Sequence, residues 1–217
     1  MQNIDLIIFD CDGTLVDSEP ISNQVVADMM NQLNIPMTKE RSIELFAGKK
    51  FADIVHYIEA NIDYPLDFNF ESEFRVQSKI AFEKYLKPIP GVIDFIESLD
   101  IRYCVASNGP RIKMETTLSV TGLDKYFTDE NTFSAYDINK WKPDPALFLH
   151  AASSLNSKPA SSLVIEDTIS GATAAINANM KCIIYSTDKE SEIFNSMGLT
   201  TFSDFLSIDL NAVVEAT

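Results

Sequence analysis

Asp10 and Asp12, two positions apart and followed by Gly13, are the residues of this 217-residue chain best placed to do chemistry. They come directly after Ile4–Phe9, an apolar run broken only by Asp5, which reads as a short buried strand ending abruptly at Asp10. Side chains two apart on extended backbone point the same way, so the two carboxylates converge. Gly13 permits a tight turn that would bring backbone N–H groups close to whatever the aspartates hold. Converging carboxylates at a strand end make a poor core and a good divalent-cation site. Mg²⁺ takes oxygen ligands and is commonly held by one or two carboxylates together with substrate phosphate and water. The plainer alternative is an Asp-rich turn capping a helix that starts near Asp17-Ser18.

The elements that must position this pair divide into two patterns. From Glu19 onward the apolar residues recur at helical spacing: Ile21, Val25, Val26, Met29, Met30 and Leu33. Breaks at Asn34-Ile35-Pro36, Ala47-Gly48-Lys49-Lys50 and Tyr64-Pro65 separate three more helical stretches, the last running Phe70 to Tyr85. Residues 18–86 are therefore expected to form an all-helical segment, closed by the stiff run Lys87-Pro88-Ile89-Pro90-Gly91. Beyond it, strand and helix patterns alternate. Strands are expected at Ile101–Ala106, Thr132–Ser134, Leu163–Ile165 and Cys182–Tyr185, with helices between. Short βα alternation implies a parallel, doubly wound sheet. The expected fold class is thus α/β: a Rossmann-like core, residues 1–17 and 87–217, interrupted after its first strand by a four-helix cap, residues 18–86.

In an open parallel sheet, ligands bind outside the carboxyl ends of the strands. The residues there are Ser107-Asn108-Gly109-Pro110 after the second strand and Lys140-Trp141-Lys142-Pro143-Asp144-Pro145 after the third. Glu166-Asp167-Thr168-Ile169-Ser170-Gly171 follows the fourth. Together they supply a hydroxyl, an ammonium and two carboxylates. Phosphoryl transfer asks for such a set, because its catalysis is mostly positioning and charge neutralisation. Taken singly, Ser107 is an ordinary strand-end turn residue and Lys142 an ordinary loop residue.

The string Asp10-Cys11-Asp12-Gly13-Thr14-Leu15-Val16-Asp17-Ser18 resembles the first motif of the haloacid dehalogenase-like hydrolase superfamily, and the three later strings resemble its second, third and fourth motifs in order. The resemblance implies Asp10 as nucleophile and Asp12 as general acid and base. It implies Ser107 as donor to the transferring phosphoryl group with Asn108 beside it at the substrate, and Lys142 as the balancing cation. It further implies Mg²⁺ held by Asp10, the Asp12 backbone carbonyl and Asp167, with Glu166 acting through water. Thr14, Asp17 and Thr168 are expected in hydrogen-bond or hinge roles. Dehalogenases and phosphonate hydrolases of the superfamily do not keep an aspartate at the position of Asp12, so phosphate esters are the expected substrates. Mutases of the β-phosphoglucomutase type carry a histidine where this chain has Ser22; the only histidines are His56 and His150. Hydrolysis is therefore expected over phosphosugar transfer. A non-catalytic binding protein on the same fold would be expected to have lost Asp10, Asp12, Lys142 or Asp167, and all four are present.

A formal net charge of −15 argues against nucleic acid or an anionic membrane surface as partner. No apolar run approaches the roughly 20 residues that span a bilayer, and the N-terminus lacks the basic start of a signal peptide, so a cytoplasmic enzyme is expected. Cys11, Cys104 and Cys182 match no metal or disulfide pattern and read as reduced, buried thiols. In so acidic a chain the local cations stand out. Lys49 and Lys50 in the cap break, with Lys113 after the second strand, are candidate substrate contacts, suited to a sugar phosphate carrying a second anionic group; Arg75 and Arg111 are the other cations nearby. The strings around Ser107 and Lys142, and the Gly-x-Lys break, are similar to those of bacterial 6-phosphogluconate phosphatases. That similarity implies a small phosphate ester as partner, and a monomer or weak homodimer is expected.

Overall fold

The computed structural model describes residues 4–46, 51–186 and 191–210. The chain divides into two compact units, one of residues 1–16 with 88–217 and one of residues 17–87.

The larger unit is built on a six-stranded sheet. In chain order its strands are β1 (Leu6–Phe9), β2 (Arg102–Ser107), β3 (Thr132–Ser134), β4 (Ser162–Glu166), β5 (Lys181–Tyr185) and β6 (Thr200–Phe202). The spatial order is β3-β2-β1-β4-β5-β6, and every neighbouring pair is parallel. Strand order reverses at β1, which is the crevice where a doubly wound sheet binds ligands. Four residues of β1, all fully buried, show why it reads as a continuous apolar run: both of its faces are covered.

Alternation along the strands sends two sets of side chains to two faces. On one, Leu6, Ile8, Cys104, Ala106, Val164, Cys182 and Ile184 pack against α8 (Ala146–Ser154) and α9 (Ile169–Asn177). The small residues Ala172, Ala174, Ala175 and Ala178 let α9 lie close to the strands. On the other, Phe9 meets the ring edges of Phe95 and Phe127 at 6.2 and 6.1 Å, and Phe95 continues to Phe205 at 5.5 Å. Phe95 belongs to α5 (Val92–Glu97), and α6 (Arg111–Val120) follows β2.

The smaller unit holds α1 (Glu19–Gln32), α2 (Lys39–Phe46), α3 (Phe51–Glu59) and α4 (Phe70–Tyr85). Its own core joins Val26, Met29 and Met30 to Phe46, Ile54, Ile58 and Phe70. Pro20 occupies the first turn of α1, and the Asn69 side chain caps α4 by accepting from the Ser72 N–H at 2.9 Å. A buried hydrogen bond from Ser42 to Asn23, 2.8 Å, ties α2 to α1.

Three short elements have no counterpart in the sequence reading: α7 (Ala135–Ile138), α10 (Ser191–Ser196) and β6. One helical turn or three strand residues is too short to show a period. The consequence matters for α7, because Lys142 comes off this turn and not directly off β3.

Phe95→Ala removes the ring that links Phe9 to Phe205. It is expected to lower stability by about 3–5 kcal/mol, read as a fall in the urea midpoint.

Candidate active site

The sheet register lines up the site. Phe9 lies between Val105 of β2 and Ile165 of β4, and the next N–H, that of Asp10, donates to the Ile165 carbonyl at 2.9 Å. Asp10 and Glu166 therefore emerge side by side at the carboxyl ends of adjacent strands. Both are buried, at 6% and 1% exposure.

Glu166 is held at both oxygens. Oε2 accepts from the N–H groups of Asp167 and Thr168 (2.8 and 2.7 Å) and from the Thr168 hydroxyl (2.8 Å), and Oε1 accepts from Lys142 Nζ at 2.8 Å. Thr168 in turn caps α9, its hydroxyl accepting from Gly171 N–H at 3.0 Å. A side chain at position 171 would put its Cβ 1.8 Å from Glu166 Oε1, so only glycine lets the carboxylate lie against the helix.

Lys142 Nζ donates to both Asp10 Oδ1 and Glu166, and Lys142 is itself only 6% exposed. Its ammonium also lies 4.7 Å from the centroid of the buried Phe148 ring. The α7 turn delivers this lysine: Ser134 and Asp137 form a capping box at its start, and Asn139 ends it with φ +52°. Asn108 Oδ1 accepts from the Lys142 N–H at 2.9 Å, and Asn108 Nδ2 donates to the Lys142 carbonyl at 3.4 Å.

Gly13 has φ +84°, and a Cβ there would stand 2.0 Å from Asp167 Oδ2. Conformation and space both require glycine. The buried Thr14 hydroxyl donates to Asp167 Oδ1 at 3.0 Å, so the turn after β1 holds the carboxylate that follows β4. Ser107 is 2% exposed, and its hydroxyl accepts from Gly109 N–H at 3.0 Å. Asp12 forms a 2.8 Å ion pair with Lys113.

The structure thus gathers Asp10, Lys142, Glu166 and Asp167, and separately Asp12 with Lys113. Asn108, expected at the substrate, has its amide on the main chain of Lys142. Lys49 and Lys50 lie outside the described residues. Arg111 is paired with Asp137 at 2.8 Å and Arg75 with Glu71. His56 and His150 are exposed. Sequence reading gave no role to Gly171, Ser134, Asp137 or Phe148, whose work is to shape and hold the reacting groups.

Electrostatics follow from burial. Burial pushes the Asp10 carboxyl up to about 7, with Lys142 opposing and Glu166 and Asp12 adding to the rise. Burial also raises Asp167, reinforced by Glu166 and Asp10. For Lys142, burial works to lower the pKa, but Asp10 and Glu166 outweigh it and keep the ammonium charged. One ammonium faces three carboxyls, and if all ionise two negative charges remain uncompensated. Oxygens of Asp10, Glu166 and Asp167 lie within 4.8 Å of one another. Hard oxygen donors with that residual charge suit a divalent cation such as Mg²⁺. Cys11, wedged between the two aspartates, is buried and its thiol is raised well above the ordinary range, so it is no nucleophile.

Residues 7–185 match the family model described as haloacid dehalogenase-like hydrolase. The chain belongs to this family. It is 32% identical over 204 residues, 94% of this chain and 92% of the relative, to the 6-phosphogluconate phosphatase of Escherichia coli K12. It is 29% identical to the phosphorylated carbohydrates phosphatase of Thermotoga maritima, covering 83% of this chain and 84% of that protein. A solved haloacid dehalogenase-like protein of unknown function from Agrobacterium tumefaciens superposes with a TM-score of 0.83 at 31% identity, covering 99% of both chains. With this family membership and these phosphatase relatives, the present chain is a phosphoric monoester hydrolase by class. No helix among the described residues is long and apolar enough to cross a membrane.

Gly13→Ala would drive a methyl group into Asp167 and strain the backbone. It is expected to destabilise the fold by at least about 1 kcal/mol and to abolish phosphatase turnover, checked by thermal melting and phosphate release. Wild-type activity in this variant would refute the close packing of Gly13 on Asp167.

Proposed function

We propose that the chain is a Mg²⁺-dependent phosphatase of small phosphorylated metabolites, acidic sugar phosphates foremost, acting through an aspartyl-phosphate on Asp10. The observation that carries this reading is the buried Asp10 carboxylate, paired with Lys142 and set beside Asp167 in a pocket with excess negative charge.

Asp10 and Asp167, with the Asp12 main-chain carbonyl, are the residues to hold the ion. Both Glu166 oxygens already accept hydrogen bonds, which favours action through water. The bound ion would supply positive charge that keeps Asp10 ionised and screens the phosphoryl oxygens. In the first half-reaction an Asp10 oxygen forms a bond to phosphorus as the ester P–O bond breaks, and Asp12 gives a proton to the leaving alkoxide. In the second, Asp12 takes a proton from water, the water oxygen bonds to phosphorus, and the aspartyl–phosphorus bond breaks to release phosphate. Lys142 offsets the charge of nucleophile and phosphoryl group throughout, and the Ser107 hydroxyl donates to a phosphoryl oxygen. The Asp12–Lys113 pair suits the carboxylate form needed for the hydrolytic half.

For the substrate, the E. coli relative's name suggests 6-phosphogluconate, a sugar phosphate with a second anion. Lys49 and Lys50 are the proposed readers of that anion, Lys113 being engaged by Asp12 at 2.8 Å, and the helical unit is proposed as the specificity element. A mutase would need a histidine where α1 carries Ser22.

The direct test is phosphate release with Mg²⁺ across phosphorylated metabolites. We expect 6-phosphogluconate to lead the panel and Asp10→Asn to fall to background; a fully active Asp10→Asn would remove the nucleophile assignment. Good hydrolysis of hexose monophosphates with none of 6-phosphogluconate would sink the substrate.

A second test uses pH. A carboxyl whose folded pKa lies above its unfolded value binds its proton more tightly when folded, so stability falls as pH rises between the two. For Asp10 that window runs from 3.8 to about 7. Metal-free protein should therefore melt lower at pH 7.5 than at pH 5.5, and Mg²⁺ should raise the melting temperature more at pH 7.5. Asp10→Asn should flatten the metal-free slope; an unchanged slope would contradict the buried-carboxyl account.

A further inference from the structure

We propose that Asn108 is a positioning residue: it fixes the main chain of Lys142, and so the ammonium at Asp10, without contacting substrate. The inference rests on the phosphatase reading for its kinetic consequence and on geometry alone for the clamp.

Lys142 sits in the irregular segment between α7 and α8, where no strand or helix supplies partners for its peptide groups. A backbone N–H removed from water needs an acceptor. Asn108 answers as a second peptide group would, its Oδ1 accepting from Lys142 N–H at 2.9 Å and its Nδ2 donating to the Lys142 carbonyl at 3.4 Å. Both bonds close on the residue whose side chain ends at Asp10 and Glu166. The clamp is itself anchored. The Gly109 carbonyl accepts from the buried Ser134 hydroxyl at 2.7 Å, and Arg111 grips Asp137 at 2.8 Å. Asp137 Oδ2 also accepts from Ser134 N–H at 3.2 Å. The turn after β2 and the segment carrying Lys142 are therefore locked together through two independent sets of contacts, one through Asn108 and one through the α7 turn.

A side chain that touched the phosphoryl group would act on affinity, on the chemical step or on both, and would keep that contribution when Lys142 is gone. One that acts through Lys142 would act on the chemical step and would have nothing left to do once Lys142 is gone. Misplacing a catalytic group by about 1 Å can cost on the order of 100-fold. A main-chain clamp whose loss is partly absorbed by the remaining α7 contacts should cost less.

The test combines amide hydrogen exchange at Lys142 with steady-state kinetics on an activated aryl phosphate in Mg²⁺, for wild type, Asn108→Ala, Lys142→Ala and the double variant. In Asn108→Ala we expect exchange at the Lys142 amide to accelerate at least about tenfold as its hydrogen bond is lost. We expect kcat to fall about tenfold to 100-fold with KM within about twofold. In the Lys142→Ala background, Asn108→Ala should change kcat/KM by less than about twofold. A rise in KM with unchanged Lys142 exchange, or a full additional loss in the Lys142→Ala background, would make Asn108 a substrate contact and overturn the proposal. Faster exchange with unaltered kinetics would overturn it too, leaving a purely structural bond. Asn108→Ser, which keeps a small polar group in the turn, replaces the alanine variant if that one does not fold. A wild type that hydrolyses no phosphate ester would refute the phosphatase reading, while the exchange measurement would still decide whether the clamp exists.

Discussion

Everything at this site depends on one buried ammonium. Lys142 is taken out of water and placed against Asp10 and Glu166, with an aromatic ring beneath it. Such a cluster is poor value for stability: desolvating the charges costs several kcal/mol per ion, and apolar replacements of the same volume are often as stable. Removing one partner, by contrast, leaves an unpaired buried charge. The proposed mechanism gives that surplus of carboxylates over cations a use: to attract a divalent ion and to keep a nucleophilic carboxylate in a dry setting.

Holding three carboxylates in one pocket takes more than charge balance. Glu166 and Asp167 are consecutive, yet they face different partners, one secured by Lys142 and the first N–H groups of α9, the other by Thr14. Two glycines make room for this. Gly13 lets the turn after β1 press on Asp167, and Gly171 lets Glu166 lie along the helix; a methyl group at either would occupy the oxygen's position. The site is defined as much by where side chains are missing as by where they are present.

The strong acidity of the chain looks at first ill-suited to an anionic substrate. The structure shows how the basic residues of the larger unit are spent near the sheet's carboxyl edge: Lys142 on Asp10 and Glu166, Lys113 on Asp12, Arg111 on Asp137. These pairs leave the crevice net negative, so the positive charge that a phosphate ester would meet there is assigned to the proposed divalent ion, while exposed charges more than a Debye length away, ~8–10 Å, count for little.

The sequence by itself determined the parts whose signals are local. The buried β1, the helical run from Glu19 to Tyr85 and the βα alternation after Gly91 all carry periodicities or breaks that a single stretch of chain displays. Asp10, Asp12 and Asp167 were legible because each sits just past a strand, and Lys142 because, like them, it lies in a string of distinctive residue types. Tertiary structure alone decided the rest. That Gly171 must be glycine depends on Glu166 folding back over it. That Asn108 turns to the Lys142 main chain, 34 positions away, depends on strands β2 and β3 lying side by side. The raised pKa of Asp10 likewise exists only once folding removes water and brings up Lys142 from 132 positions away and Glu166 from the neighbouring strand β4. The contacts of Asn108 and of Asp10 are non-local, and no window of sequence contains both halves of either; Glu166 and Gly171 share one window, but their spacing does not show that the carboxylate folds back onto the helix.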